Sequence, residues 1–194
     1  MPVKGQHTTS EYIEWHQFQT LLRQLERDKK YRDKLLLTIG CYWGLRISQA
    51  LELTWKDILN KDKVFLPPHK RGKARNIEII DDVKQSIYEL YKNLNVRDKN
   101  EHLMLNRFGR KMSNQYVNKR LKKIMLQYHI PIEKVSSHSM RKTFGRRIWE
   151  KAGRSEEALI LLSEIFGHIS IAVTRRYIGI TENEIKAAYH LLAD

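Results

Sequence analysis

The sequence predicts a mostly α-helical chain with one small antiparallel β-sheet, an α+β fold. Three observations predict it. Apolar residues recur at helical spacing along most of the chain. Only one pair of short runs rich in β-branched or aromatic residues occurs, Lys63 to Leu66 and Asn76 to Ile80, joined by a connection rich in Pro and basic residues. Serines stand before several apolar-periodic runs and glycines after them, as helix caps do. With 41% hydrophobic and 9% aromatic residues, the 194-residue chain can build a core, which argues against general disorder. Its length fits one main domain over residues 13–180, with an N-terminal extension 1–12 and a C-terminal helix 181–194.

Trp15, Phe18, Leu22 and Leu25 form one stripe of a first helix, Trp15 to Leu25. Tyr31 to Trp43 is a second, more apolar helix that Gly44 should end. Ile47 to Leu53 reads as a short helix. The strand pair follows, its connection Pro67 to Lys73 forming a basic hairpin. Asp82 to Leu94 is amphipathic through Val83, Ile87, Leu90 and Leu94. Ser113 should cap a helix running to about Tyr128, Ser137 one over His138 to Lys151, and Ser155 one ending near Gly167. Ile171 to Tyr177 is a further short helix. Thr181-Glu182-Asn183-Glu184 fits a capping box before a last helix through Ile185, Ala188, Tyr189 and Leu192.

Charge narrows the function classes. The chain carries 36 Lys and Arg against 22 Asp and Glu, a formal charge of +14, so a polyanion, nucleic acid above all, is the expected partner. The basic clusters at Arg27 to Lys34, Lys70 to Arg75, Lys119 to Lys123, Arg141 to Arg147 and Arg175-Arg176 are spread along the chain, so folding can gather them on one face. The single cysteine, Cys41, rules out an internal disulfide framework. The longest apolar stretch, Leu35 to Leu45, falls far short of a membrane span, and the N-terminus has no secretory h-region; an intracellular protein is expected. Neither G-x-x-x-x-G-K-[ST] nor G-x-G-x-x-G occurs, so no nucleotide cofactor is expected. The eight histidines form no i, i+3 or i, i+4 pair and H-E-x-x-H is absent, so no metal site is expected either. Acidic pairs such as Asp81-Asp82 sit at a helix start, where the macrodipole accounts for them.

In His138-Ser139-Met140-Arg141, His and Arg lie three apart on one helix face. Arg offers a planar fork for phosphate oxygens, and His can move a proton near neutral pH. Alone, this spacing is weak in so basic a chain. The order of elements is stronger: Gly44-Leu45-Arg46-Ile47-Ser48-Gln49-Ala50-Leu51, a hairpin lysine, His138-Ser139-Met140-Arg141, Phe166-Gly167-His168, then Tyr177 nine residues after His168. This series resembles the tyrosine recombinase (phage integrase) family over nearly the whole chain, from Trp15 to Tyr177.

The resemblance implies that family's catalytic-domain fold and DNA cutting and rejoining through a 3′-phosphotyrosine. It makes Tyr177 the nucleophile, Arg46 and Arg141 the phosphate clamp, and His138 and His168 the histidines beside them. Lys70, directly before Arg71-Gly72, matches the hairpin lysine that would protonate the leaving 5′-oxygen, with Lys73 as its rival. Three departures stand out. Gln49 replaces a usual acidic residue; Met140 and Phe166 replace leucines, which is conservative for packing; and Lys142 replaces a frequent second histidine, with no effect assignable from sequence. Candidate DNA contacts are Arg71, Lys73 and Arg75 of the hairpin, and Asn114, Gln115, Asn118, Lys119 and Arg120 of the helix after Ser113, although a solvated polar face is the stronger reading of that helix.

The expected partner is double-stranded DNA, bound as a homo-tetramer on paired sites in the bacterial cytoplasm at the nucleoid, with the chain weakly associated or monomeric without DNA and no membrane partner. About a dozen residues precede the first helix, so the chain is expected to be a single-domain recombinase, like the short fimbrial phase-variation enzymes, or a catalytic domain excised from a longer one. The last helix could pack on its own domain or dock onto a neighbouring protomer. Two other readings remain at this point: a type IB topoisomerase, and a non-catalytic DNA-binding module with the same fold.

Overall fold

The computed structural model describes residues 10–68 and 74–180. Helix α1 (Trp15–Arg27) turns Phe18, Leu21 and Leu25 inward, as its apolar spacing requires. Helix α2 (Tyr31–Trp43) is apolar on nearly every side and becomes the core, with Leu35, Leu36, Leu37, Ile39 and Cys41 all at most 1% exposed. Gly44 ends α2 in the left-handed region at φ 56°. Two short helices follow, α3 (Ile47–Ala50) and α4 (Trp55–Ile58), then strands β1 (Lys63–Leu66) and β2 (Arg75–Glu78). The strands pair antiparallel with Val64 opposite Ile77 and Leu66 opposite Arg75. Val64 and Leu66 face the core while Lys63 and Phe65 stay exposed, the alternation of a sheet covered on one side.

Helices α5 (Asp81–Asn93), α6 (Asn114–Gln127) and α7 (Ser137–Lys151) complete the main body. α2 lies between α7, α1 and α5. It approaches α7 closely because Gly40 has no side chain: a Cβ there would lie 2.8 Å from Met140 Cβ. Helices α8 (Glu156–Phe166) and α9 (Ile171–Tyr177) form a second, smaller core with the end of α7 around Trp149, Leu159, Leu162, Phe166 and Ile178. α7 belongs to both cores, so it carries residues of the first body to those of the second.

Several boundaries differ from expectation. α7 starts one residue early because Ser136, not Ser137, caps it: Ser136 Oγ accepts from His138 N–H at 3.2 Å and Ser139 Oγ accepts from Ser136 N–H at 3.2 Å. Strand β2 starts and ends earlier than Asn76 to Ile80, and the helix at Ile47 stops at Ala50. α4 was not expected; Asp57 caps Thr54 N–H at 2.8 Å, but one turn shows no apolar period. Lys70, Arg71, Lys73, most of the extension 1–12 and the helix after Thr181 lie outside the described residues. Among the described residues, no single helix is long and apolar enough to cross a membrane, and no group of three or more His, Cys, Asp or Glu could hold a metal ion.

Candidate active site

The C-terminus of α8 is the centre of the site. Its last carbonyls have no partner within the helix and carry the negative end of the helix dipole. Gly167 closes the helix in the left-handed region at φ 63°, leaving those carbonyls open. Guanidiniums fill the vacancy. Arg46, just before α3, donates from Nη2 to Phe166 O at 2.8 Å, and Arg141 of α7 donates from Nη2 to the same oxygen at 2.9 Å. Arg141 also donates from Nη1 to Gly44 O at 2.5 Å and stacks over the Phe166 ring at 4.3 Å. Arg75 of β2 donates from Nη1 to Ile165 O at 2.6 Å.

Three arginines from distant parts of the chain thus meet on two successive carbonyls. Among the described residues, none of them forms a salt bridge with a carboxylate. A positive charge balanced only by backbone dipoles is a site prepared for an anion. Burial, with Arg46 and Arg75 nearby, pulls the Arg141 pKa down to about 9 against an opposing pull from Tyr177, so this guanidinium is still cationic at neutral pH. Arg75 is lowered by burial and then by Arg46.

Tyr177, the last residue of α9, faces this cluster. Its hydroxyl lies 3.2 Å from His138 Nδ1, and its ring packs edge-on against Phe166 at 5.3 Å and His168 at 5.0 Å. Burial raises the phenol above its usual 10, although Arg141 and Arg46 pull the other way. The phenol is therefore protonated at neutral pH. Loss of hydration, then the charges of Arg141, Lys142 and Arg46, hold His138 below its usual value, so it is neutral at pH 7 and has a ring nitrogen able to take a proton. Burial and the same two arginines push His168 down to about 4. Its Nδ1 lies 2.9 Å from the hydroxyl of Thr174, which is fully buried. A Thr174 hydroxyl that donates to Nδ1 leaves the proton of neutral His168 on Nε2, where it can be donated to an anion.

Arg46, Arg75, His138, Arg141, His168 and Tyr177 all line one open cleft of roughly 1130 Å³. The structure thus brings five of the six expected catalytic residues together, and the sixth, Lys70, lies outside the described residues. Gln49, in place of the usual acid, accepts from the Arg46 backbone N–H at 3.3 Å and so anchors the residue through its main chain. The candidate DNA-contact helix divides. Gln115 and Lys119 are exposed, and Asn114 lines the cleft. Asn118 instead accepts from Ser137 N–H at 2.8 Å, and Arg120 forks onto buried Asp33. Arg75 was expected only as a DNA contact, and the part played by Thr174 was not expected at all. A threonine three residues before Tyr177 and on its helix is the only sequence signal for the second.

The model of the phage integrase family matches residues 11–184. The probable integrase/recombinase YoeC of Bacillus subtilis strain 168 is 33% identical over 168 residues, covering 87% of this chain and 88% of its own. XerA recombinase has the same fold, with a TM-score of 0.72 at 18% identity over 100% of this chain and 66% of its own. So does XerH site-specific recombinase bound to palindromic difH substrate in a post-cleavage complex, with a TM-score of 0.70 at 21% identity over 95% of this chain. This chain spans only 54% of that XerH chain.

Proposed function

This chain belongs to the phage integrase family, and on that premise we propose that it is a site-specific tyrosine recombinase that cuts and rejoins DNA through a 3′-phosphotyrosine intermediate. One observation carries the reading: a phenol, a neutral imidazole in contact with it and two guanidiniums anchored on one carbonyl share a cleft, and neither guanidinium pairs with a carboxylate among the described residues. Arg46 and Arg141 hold the non-bridging oxygens of the scissile phosphate and stabilise the charge that builds on them during attack. Tyr177 Oη bonds to phosphorus as its proton passes to His138, and the bond from phosphorus to the 5′-oxygen breaks. His168 donates from Nε2 to a phosphate oxygen, oriented by Thr174. Lys70 supplies the proton that turns the leaving oxygen into a free 5′-hydroxyl. Its assignment is supported by Ala74 and Arg75, which follow the hairpin connection and line the cleft.

The phosphotyrosyl linkage keeps the phosphodiester energy, so a 5′-hydroxyl from another strand can reverse the step without a nucleotide cofactor. Double-stranded DNA is the partner, consistent with the charge of +14. The enzyme acts as a homo-tetramer on paired sites at the bacterial nucleoid, in the cytoplasm. A nicked suicide substrate tests the reading. Wild-type protein should give a protease-sensitive, gel-shifted adduct that persists in EDTA, and Tyr177→Phe should give none. Equal adduct from both proteins would place the nucleophile elsewhere.

A further inference from the structure

Lys142 stands where the family often has a second histidine, and beyond the effect of its charge on His138 the reaction described above gives it no task. It follows Arg141 on α7 and is 6% exposed, a rare burial for an ammonium unless something holds it. Its Nζ donates to the carbonyl of Ser10 at 2.5 Å and lies over the Tyr177 ring, 5.4 Å from the centroid. That separation is within cation–π range.

Ser10 belongs to a segment laid along α7. Glu11 N–H donates to Lys134 O at 2.8 Å, and Ile13 N–H donates to the buried Thr143 hydroxyl at 2.8 Å. The Tyr12 ring lies 5.0 Å from the Arg146 guanidinium and packs beside Gly179, two residues after Tyr177. Residues 10–13 therefore touch both the helix that carries His138 and the chain just beyond the phenol.

We propose that Lys142 is a positioning residue for the Tyr177 phenol, an ammonium held against the ring by the Ser10 carbonyl, so that residues 10–13 are tied to the nucleophile. The proposal rests on the reading of Tyr177 as the nucleophile. A methionine would fill the same space, so what the lysine adds is charge and a donor. Other groups facing the ring are His138 and Arg141 of α7, His168 of the turn before α9, and Arg46. Glu11, in the segment itself, acts electrostatically on Lys142. None of these duplicates the lysine's link to residues 10–13.

Two readouts on the full chain test this. In protein carrying tyrosine labelled at 13Cζ, the Tyr177 resonance is identified by its loss in Tyr177→Phe. It should move in Lys142→Met at pH 7 and return in Lys142→Arg. The single-turnover rate of adduct formation on nicked DNA should fall roughly fivefold in Lys142→Met, the size of one cation–π contact, with DNA affinity unchanged and recovery in Lys142→Arg. Thermal melting checks folding, and Lys142→Gln replaces the methionine variant if that one does not fold. An unmoved resonance with a wild-type rate, or a slow rate that arginine does not rescue, would overturn the proposal and leave Lys142 as packing. Failure of the unsubstituted protein to form any Tyr177-dependent adduct would overturn the function instead, and the resonance would still decide the role of Lys142.

Discussion

Arg120→Ala should unfold the domain far more readily while removing no base contact. Arg120 reaches from α6 to Asp33 of α2, donating from Nε at 2.7 Å and from Nη2 to the second carboxylate oxygen. The exposures of the two side chains set the outcome: Asp33 is 5% exposed and Arg120 28%. Deleting the guanidinium strands a carboxylate in the core, which costs about 3–5 kcal/mol. At about 2–4 °C per kcal/mol for a chain of this size, melting should fall by roughly 6–20 °C. Asp33→Ala should cost less, about 1–2 kcal/mol, because the freed arginine can extend to water. Asp33→Leu with Arg120→Met should recover most of the loss, since neither charge is then buried alone. Thermal and urea unfolding followed by circular dichroism measures all four proteins. An Arg120→Ala protein within ~0.5 kcal/mol of wild type, well below that range, would show that Asp33 does not depend on Arg120 for its burial. So would a double variant no more stable than the single one.

Other consequences follow from the same packing. Arg46→Lys and Arg141→Lys each keep a charge but lose the fork, and adduct formation should fall about 10²–10³-fold in suicide-substrate assays. A Cβ on Gly145 would lie 2.8 Å from both Phe166 Cζ and Ile178 Cγ2, so Gly145→Ala should cost about 1–3 kcal/mol in urea unfolding and slow adduct formation by displacing Tyr177. His138 acts as base only when neutral and its pKa is lowered, so the acid limb of the adduct rate should lie below pH 6.5 in a pH–rate profile. His168 is lowered from 6.5 to about 4, so the unfolded chain binds its proton more readily. Stability is therefore full above pH 6.5 and falls as pH drops from there toward about 4. His168→Gln should lose less stability than wild type between pH 7 and pH 5, as calorimetry would show.

What the sequence made legible follows from how strongly local rules act. Helix α2 is bounded as expected because a mostly apolar run meets Gly44, a residue that takes the left-handed turn easily. The start of α7 was misplaced by one residue because Ser136 and Ser137 are equally good caps by type, and only the reciprocal bond with Ser139 separates them. Strand β2 begins at Arg75, a residue without strong strand preference, because Leu66 opposite it fixes the register. In the site, residue types in a fixed order were readable. The carbonyls of Gly44, Ile165 and Phe166 that hold the arginines were not, since a backbone oxygen has no residue signature. The inward commitment of Arg120 was hidden for a similar reason: its partner lies 87 residues away. Lys142 was visible only as a departure from pattern until Ser10 was seen beside it.

The most direct measurement is mass spectrometry of the covalent complex after nuclease and trypsin digestion. A nucleotide remnant, linked through phosphate, is expected on the hydroxyl of Tyr177 in the tryptic peptide that runs from Tyr177 to Lys186. A remnant on any other side chain, with that peptide recovered unmodified, would contradict it.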